Sequence, residues 1–233
     1  LADGQWQWAA GVFRETDDFG DDNDSLGSGE WNFTGRIAGV AWEDEDAEET
    51  TLLGVGASGS LRKASDEVVN SSFATPYKDS AGRVSLRGAQ HIGPRLVDTG
   101  RFGVDDDTKM WGFDAVFLMG PLHAQAEYVT QDWDTVGGSA DLDSWAVQAG
   151  YFLTGETRNW DGGDANWGRT SPNSNYGAEE GDGLGAWEAA VRYDTADLAE
   201  ALEVTEAQAS EMEMRLAARD FSLHASVDDS SET

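Results

Sequence analysis

The chain has 233 residues, no cysteine, 28 glycines and four prolines, with 15 basic against 45 acidic side chains, a formal charge of −30. No disulfide or thiol chemistry is open to it, and nucleic acid, whose backbone is bound through Lys and Arg, is not an expected partner. No run of about 18 apolar residues is present, so no helix is expected to cross a membrane, but strands hide their apolar face in every second residue and escape that test.

In chain order, Gln5–Arg14 alternates, with Trp6, Trp8, Ala10 and Val12 on one face, and is predicted as a strand. Glu15–Gly29 reads as an acidic loop; its Asp21-Asp22-Asn23-Asp24 lacks the glycine and closing glutamate of a calcium loop at the required offsets. Trp31–Trp42 is the next strand: Phe33, Gly35, Ile37, Gly39 and Ala41 share a face, and a tryptophan stands at each end. Glu43–Glu49 is an acidic turn. Thr51–Arg62 follows, with Leu53, Val55, Ala57 and Leu61 outward and small residues between, which would leave a lumen open.

Lys63–Ser80 reads as a polar loop and Gly82–Ala89 as a short strand with Arg83, Ser85 and Arg87 inward. Seven of the fifteen basic residues lie between Arg62 and Arg101, with only four acids, so this span is locally positive. Arg95–Phe102 is short and irregular. Lys109–Leu118 and Leu122–Trp133 form the clearest hairpin, joined at Met119-Gly120-Pro121. Trp111, Phe113, Ala115, Phe117, Leu122, Ala124, Ala126 and Tyr128 would face lipid; Asp114, His123, Gln125 and Glu127 would face inward.

Asp143–Leu153 is a further strand. Gly150–Trp160, GYFLTGETRNW, and Gly185–Asp194, GAWEAAVRYD, each read as a strand with two unlike faces; in the second, Trp187, Ala189, Val191 and Tyr193 oppose Glu188, Ala190, Arg192 and Asp194. Charges on one face and aromatics at both ends of the other suit a membrane-spanning barrel strand. Asn159–Gly183 reads as a long loop. From Thr195 the composition changes: Ala196–Asp220 is rich in Ala, Glu, Leu and Met, as helices are. Residues 1–198 are therefore expected to form a β-barrel region and residues 199–233 an atypical tail, helical or disordered.

Gly150–Trp160 and Gly185–Asp194, together with Thr34-Gly35-Arg36, Asp98-Thr99-Gly100 and Gly120–Tyr128 (GPLHAQAEY), resemble, in the same order, segments of the phosphate-selective porins. The resemblance spans roughly Gly11 to Asp197. It implies a trimeric outer-membrane channel for phosphate and polyphosphate in a Gram-negative bacterium, in contact with outer-membrane lipid, and a family of longer chains. The expected fold is all-β: a transmembrane antiparallel β-barrel, present as a fragment of about eight or nine strands. The unusual tail and the absence of an initiator methionine suggest truncation, and a reading-frame error near Glu206–Glu211 is one way to produce that tail.

Chemistry points to passage rather than catalysis. There are three histidines, no HExxH, no GxSxG and no phosphate loop, so neither enzyme nor cofactor is expected. Arg83 and Arg87, flanking Ser85, are the candidate anion ladder, because guanidinium groups give paired hydrogen bonds to phosphate; Arg36, Arg62 and Arg192 could extend it. The competing role for each is to balance a carboxylate inside the barrel. Three acids to every base argue for general passage of small hydrophilic solutes before phosphate preference. The rivals are a soluble acidic β-sandwich acting as a calcium-dependent binding module, and an acidic hydrolase with two carboxylates facing across a cleft. Their discriminator is whether the tryptophan-bearing faces lie outside a sheet or inside a packed core.

Overall fold

A computed structural model describes residues 6–14, 31–63, 81–82, 85–87, 94–100, 102–135, 138–176, 183–204 and 206–207. The expected loops at Glu15–Gly29 and Lys63–Ser80 and the end of the chain beyond residue 207 lie outside them, apart from Lys63 itself.

Seven long strands run antiparallel: β1 (Trp6–Arg14), β2 (Trp31–Glu43), β3 (Thr51–Lys63), β7 (Phe102–Met119), β8 (Leu122–Thr135), β9 (Gly138–Phe152) and β12 (Glu188–Asp197). They pair in the order β1-β2-β3-β7-β8-β9-β12, and the two-residue strand β4 (Ala81–Gly82) adds to β7. The sheet does not close on itself: β1 and β12 are its edges. Two small ribbons stand apart, β5 (Ser85–Arg87) with β6 (Arg95–Asp98) and β10 (Trp160–Asp161) with β11 (Asn166–Trp167).

Register carries the alternation from strand to strand. Trp8 pairs with Ile37, Ile37 with Ala57, Ala57 with Phe113, Phe113 with Tyr128, and Tyr128 with Trp145. A side chain directly opposite another lies on the same face, so one face carries an apolar and aromatic band across all these strands, giving way toward one end to Lys109, Asp132, Asp141, Asp143 and Asp197. That face is bare. Trp187 is 59 % exposed and Tyr193 68 %, whereas a sandwich core would have buried them. Among the described residues no second sheet covers it, so the sandwich expectation fails and the barrel-type sheet stands.

A β-bulge completes this belt. Trp42 is an odd number of positions from Phe33, so strict alternation would aim it inward. The register shifts between Val40 and Trp42, pairing Trp42 with Leu53 on the apolar face, where it is exposed. One extra residue re-aims every side chain beyond it.

The other face is covered in part, and two apolar clusters sit on it. Val40, Leu52, Val116 and Leu118 lie beneath Trp160 and Trp167. Phe102, Val104, Ala140 and Leu142 lie beneath Leu198 and Ala201. The second cluster is roofed by a helical turn at residues 199–204; Asp197 accepts from the Ala199 N–H as its cap, and Glu200 accepts from the Asp141 N–H at 2.8 Å.

Three expectations are corrected here. Gly150–Trp160 is not one strand: β9 ends at Phe152 and Gly155 turns the chain with φ +82°, a conformation glycine adopts at little cost. Gly82–Ala89 is not one strand either, since β4 joins the main sheet while β5 pairs with β6. Finally, β3 does not present small residues alone to the inner face, because Leu52 is buried there in an apolar cluster with Val40, Val116 and Leu118.

Candidate functional site: the inner face and its docked segment

Between β9 and β12, residues 153–176 fold back over the inner face of the sheet. The base of this segment is tied by one buried carboxylate. Glu156 accepts from the Thr154 hydroxyl and from the Asn173 N–H at 3.0 Å. Thr154 in turn accepts from the Trp187 N–H at 3.0 Å, and its carbonyl accepts from the Asn173 amide at 3.1 Å. Glu156 is held below the usual carboxylate value, first by the Thr154 hydroxyl and then by the Asn173 N–H; both bond the charged form.

The tip is the β10–β11 ribbon. Trp160 and Trp167 meet edge to face at 5.3 Å over the apolar cluster of β2, β3 and β7. The Trp167 indole donates to Gln125 Oε1 at 2.7 Å. The Gln7 amide reaches the Asp164 carbonyl, so the ribbon also touches β1. Arg158 lies 4.3 Å above the Trp167 ring and Nη1 reaches His123 Nδ1 at 3.4 Å. Burial lowers the Arg158 pKa, though a guanidinium remains charged.

Between the apolar clusters runs a polar strip. Arg192 Nη1 donates to Gln148 Oε1 at 3.1 Å, Gln148 donates to Gln125 at 3.2 Å, and Gln125 donates to Glu127 at 2.5 Å. The strip therefore crosses β12, β9 and β8 without a break. Of the clefts that flank the docked segment, two also touch the polar strip. One, of 440 Å³, is lined by Arg36, Asp114, Glu127 and Asn166 among others. The other, of 520 Å³, is lined by His123, Arg158, Thr170, Glu188 and Arg192.

Register puts Arg36, Arg62 and Arg192 on the inner face. They are not gathered: β3, β7, β8 and β9 separate Arg36 from Arg192. Arg36 is engaged by Asp114 through two bonds of 2.7 and 3.1 Å, and Arg192 by Asp194 at 2.7 Å. Arg62 is exposed near the end of β3. Ser85 and Arg87 lie on β5, opposite Asp98 and Arg95 of β6; Arg83 lies outside the described residues. Sequence reasoning placed Asp114, His123, Gln125 and Glu127 inward but missed Arg158, Trp160 and Trp167. Two tryptophans in an otherwise polar loop were the available signal, because such rings need cover.

Three comparisons bear on this geometry. The model of the family "Phosphate-selective porin O and P" matches residues 1–215. Porin O of Pseudomonas aeruginosa is 28 % identical over 183 residues, 75 % of this chain and 39 % of that protein. An uncharacterized protein of Caulobacter vibrioides is 36 % identical over 105 residues, 45 % of this chain and 20 % of that protein. The chain thus spans well under half the length of the relatives it matches. A one-sided apolar sheet with a polar, loop-covered inner face is what a porin barrel is built from, and the chain belongs to the phosphate-selective porin O and P family, whose members are outer-membrane porins of Gram-negative bacteria.

Proposed function

We propose that the intact protein is a passive pore for small hydrophilic solutes, with a preference for anions such as phosphate, working as a homotrimer embedded in outer-membrane lipid. The observation that carries the pore reading is the sidedness of the sheet: an exposed aromatic and aliphatic band across its strands, and on the reverse a polar strip from Arg192 to Glu127. Lipid stabilises the first, and a hydrated lumen accommodates the second.

The anion preference rests on arginine. With Arg36 and Arg192 engaged by carboxylates, it falls to Arg83, Arg87 and Arg62. The purified protein in a planar bilayer should conduct in potassium chloride, and Arg83→Glu with Arg87→Glu should lower chloride over potassium permeability. Absence of conductance removes the pore; an unchanged reversal potential in the double variant removes the ladder. Cross-linking in native membranes tests the trimer.

A further inference from the structure

We propose that His123 is a proton-operated selectivity switch: protonation of its ring makes the 520 Å³ cleft more anion-attracting and loosens Arg158 of the docked segment. The selectivity half of this rests on the pore reading above.

His123 is 3 % exposed to solvent, yet it borders the cleft. Its two ring nitrogens face opposite charges. Nε2 stands 3.0 Å from Glu188 Oε1, off the axis of a hydrogen bond. Nδ1 faces the Arg158 guanidinium at 3.4 Å. A guanidinium has no acceptor, so Nδ1 must carry the lone pair and Nε2 the proton. The docked arrangement therefore requires the neutral ring.

A second proton changes this contact in kind. Nδ1–H would then point at N–H groups of Arg158, donor against donor and cation against cation. Glu188 on β12 would hold the imidazolium on the sheet, so Arg158 is the partner that yields. The surroundings are otherwise fixed: β12 contributes Glu188 and Arg192 to this cleft, β9 contributes Gln148 and Phe152, and the segment contributes Arg158 and Thr170. Arg192 is already neutralised by Asp194 at 2.7 Å. Among the described residues lining the cleft only Glu188 is acidic, so the cleft gains one positive charge and a less constrained guanidinium. An imidazole titrates in the range where outer-membrane surroundings vary, about pH 5 to 8.

Two readouts on the intact protein separate the parts. Reversal potentials in a potassium chloride gradient measure selectivity, and acrylamide quenching of tryptophan emission reports whether the segment loosens, whether or not the protein conducts. Between about pH 8 and about pH 5 the wild type should gain roughly twofold or more in chloride over potassium permeability, and quenching should rise in parallel. His123→Gln should flatten both responses. Arg158→Gln should keep the selectivity change, because the ring still charges, but lose the quenching change. A wild type flat in both readouts, or His123→Gln titrating like the wild type, overturns the proposal. Loss of conductance with the quenching response intact would fault the pore reading and leave the loosening of Arg158 standing.

Discussion

Arg36 and Asp114 are joined across a strand that belongs to neither of them. Arg36 is on β2 and Asp114 on β7, with β3 between, and the two bonds of 2.7 and 3.1 Å pass over Gly56. A Cβ built on Gly56 would lie 2.6 Å from either carboxylate oxygen. The missing side chain is what lets the pair form.

Gly56→Ala should therefore break the Arg36–Asp114 contact and destabilise the sheet by about 1–3 kcal/mol, the usual range for a steric insult that also splits an ion pair. Most of this comes from sterics, because a half-exposed pair is itself worth at most about 1 kcal/mol. Urea unfolding of the protein in lipid vesicles measures it. Arg36→Gln, which removes the pair without the clash, should cost clearly less; equal losses would contradict this account.

His123 and Glu188 repeat the device over Gly150, where a Cβ would meet the imidazole at 2.4 Å and the carboxylate at 2.5 Å. Gly150→Ala should separate them and push the ring toward Arg158. Acrylamide quenching near neutral pH should then resemble that of the acidified wild type; wild-type quenching in the variant would refute this.

Trp160 anchors the docked segment in the cluster of Val40, Leu52, Val116 and Leu118. Trp160→Ala should cost the docked state about 2–4 kcal/mol, from lost burial and the cavity left behind. Limited proteolysis within residues 153–176 should quicken at least tenfold while the strands stay protected. Unaltered cleavage would mean that the Glu156 tie alone holds the segment.

Glu156 gives the segment an acid limit distinct from the His123 response. Its carboxyl is lowered by the Thr154 hydroxyl and the Asn173 N–H, so its contribution is complete above the ordinary glutamate value of about 4.3 and drains as pH falls through the lowered one. The wild type should release the segment only in strong acid. Glu156→Gln should loosen it already at neutral pH and lose the acid step, both read by the same proteolysis.

Sidedness also predicts tolerance. Phe113→Arg puts a charge on the bare face and should cost up to about 2–4 kcal/mol at mid-bilayer depth, slowing insertion into vesicles. Ala146→Arg lies on the inner face, opposite Glu127 and Asp194, and should insert normally. Insertion yields followed by protease protection distinguish them.

The strands were legible because alternation is local: Trp111, Phe113 and Tyr128 announce their face within their own segments. Three things were not. Trp42 lies outward because of a bulge, which inserts a residue without a compositional mark. Residues 102–108 of β7 are strand because Phe102 and Gly103 pair with β4, Asp107 and Thr108 with β3, and Val104 and Thr108 with β8 across a second register shift, and Asp105-Asp106-Asp107 gives no such hint. The inward fold of residues 153–176 depends on a patch assembled from three strands, Val40, Leu52, Val116 and Leu118, which exists only once the sheet has formed. Of the inner face, the polar positions could be read; which arginines would be tied down by Asp114 and Asp194 could not.

Direct pairing of β3 with β7 makes the stretch joining them a detachable cassette. The alignment of β3 on β7 rests on their own contact, Thr51 to Lys63 against Met119 to Asp107 residue by residue, and β4 adds to β7 only beyond it, at Phe102 and Gly103. An epitope or a sensor peptide inserted there should leave the alignment of the wall that carries it intact, provided that Arg83 and Arg87 are kept.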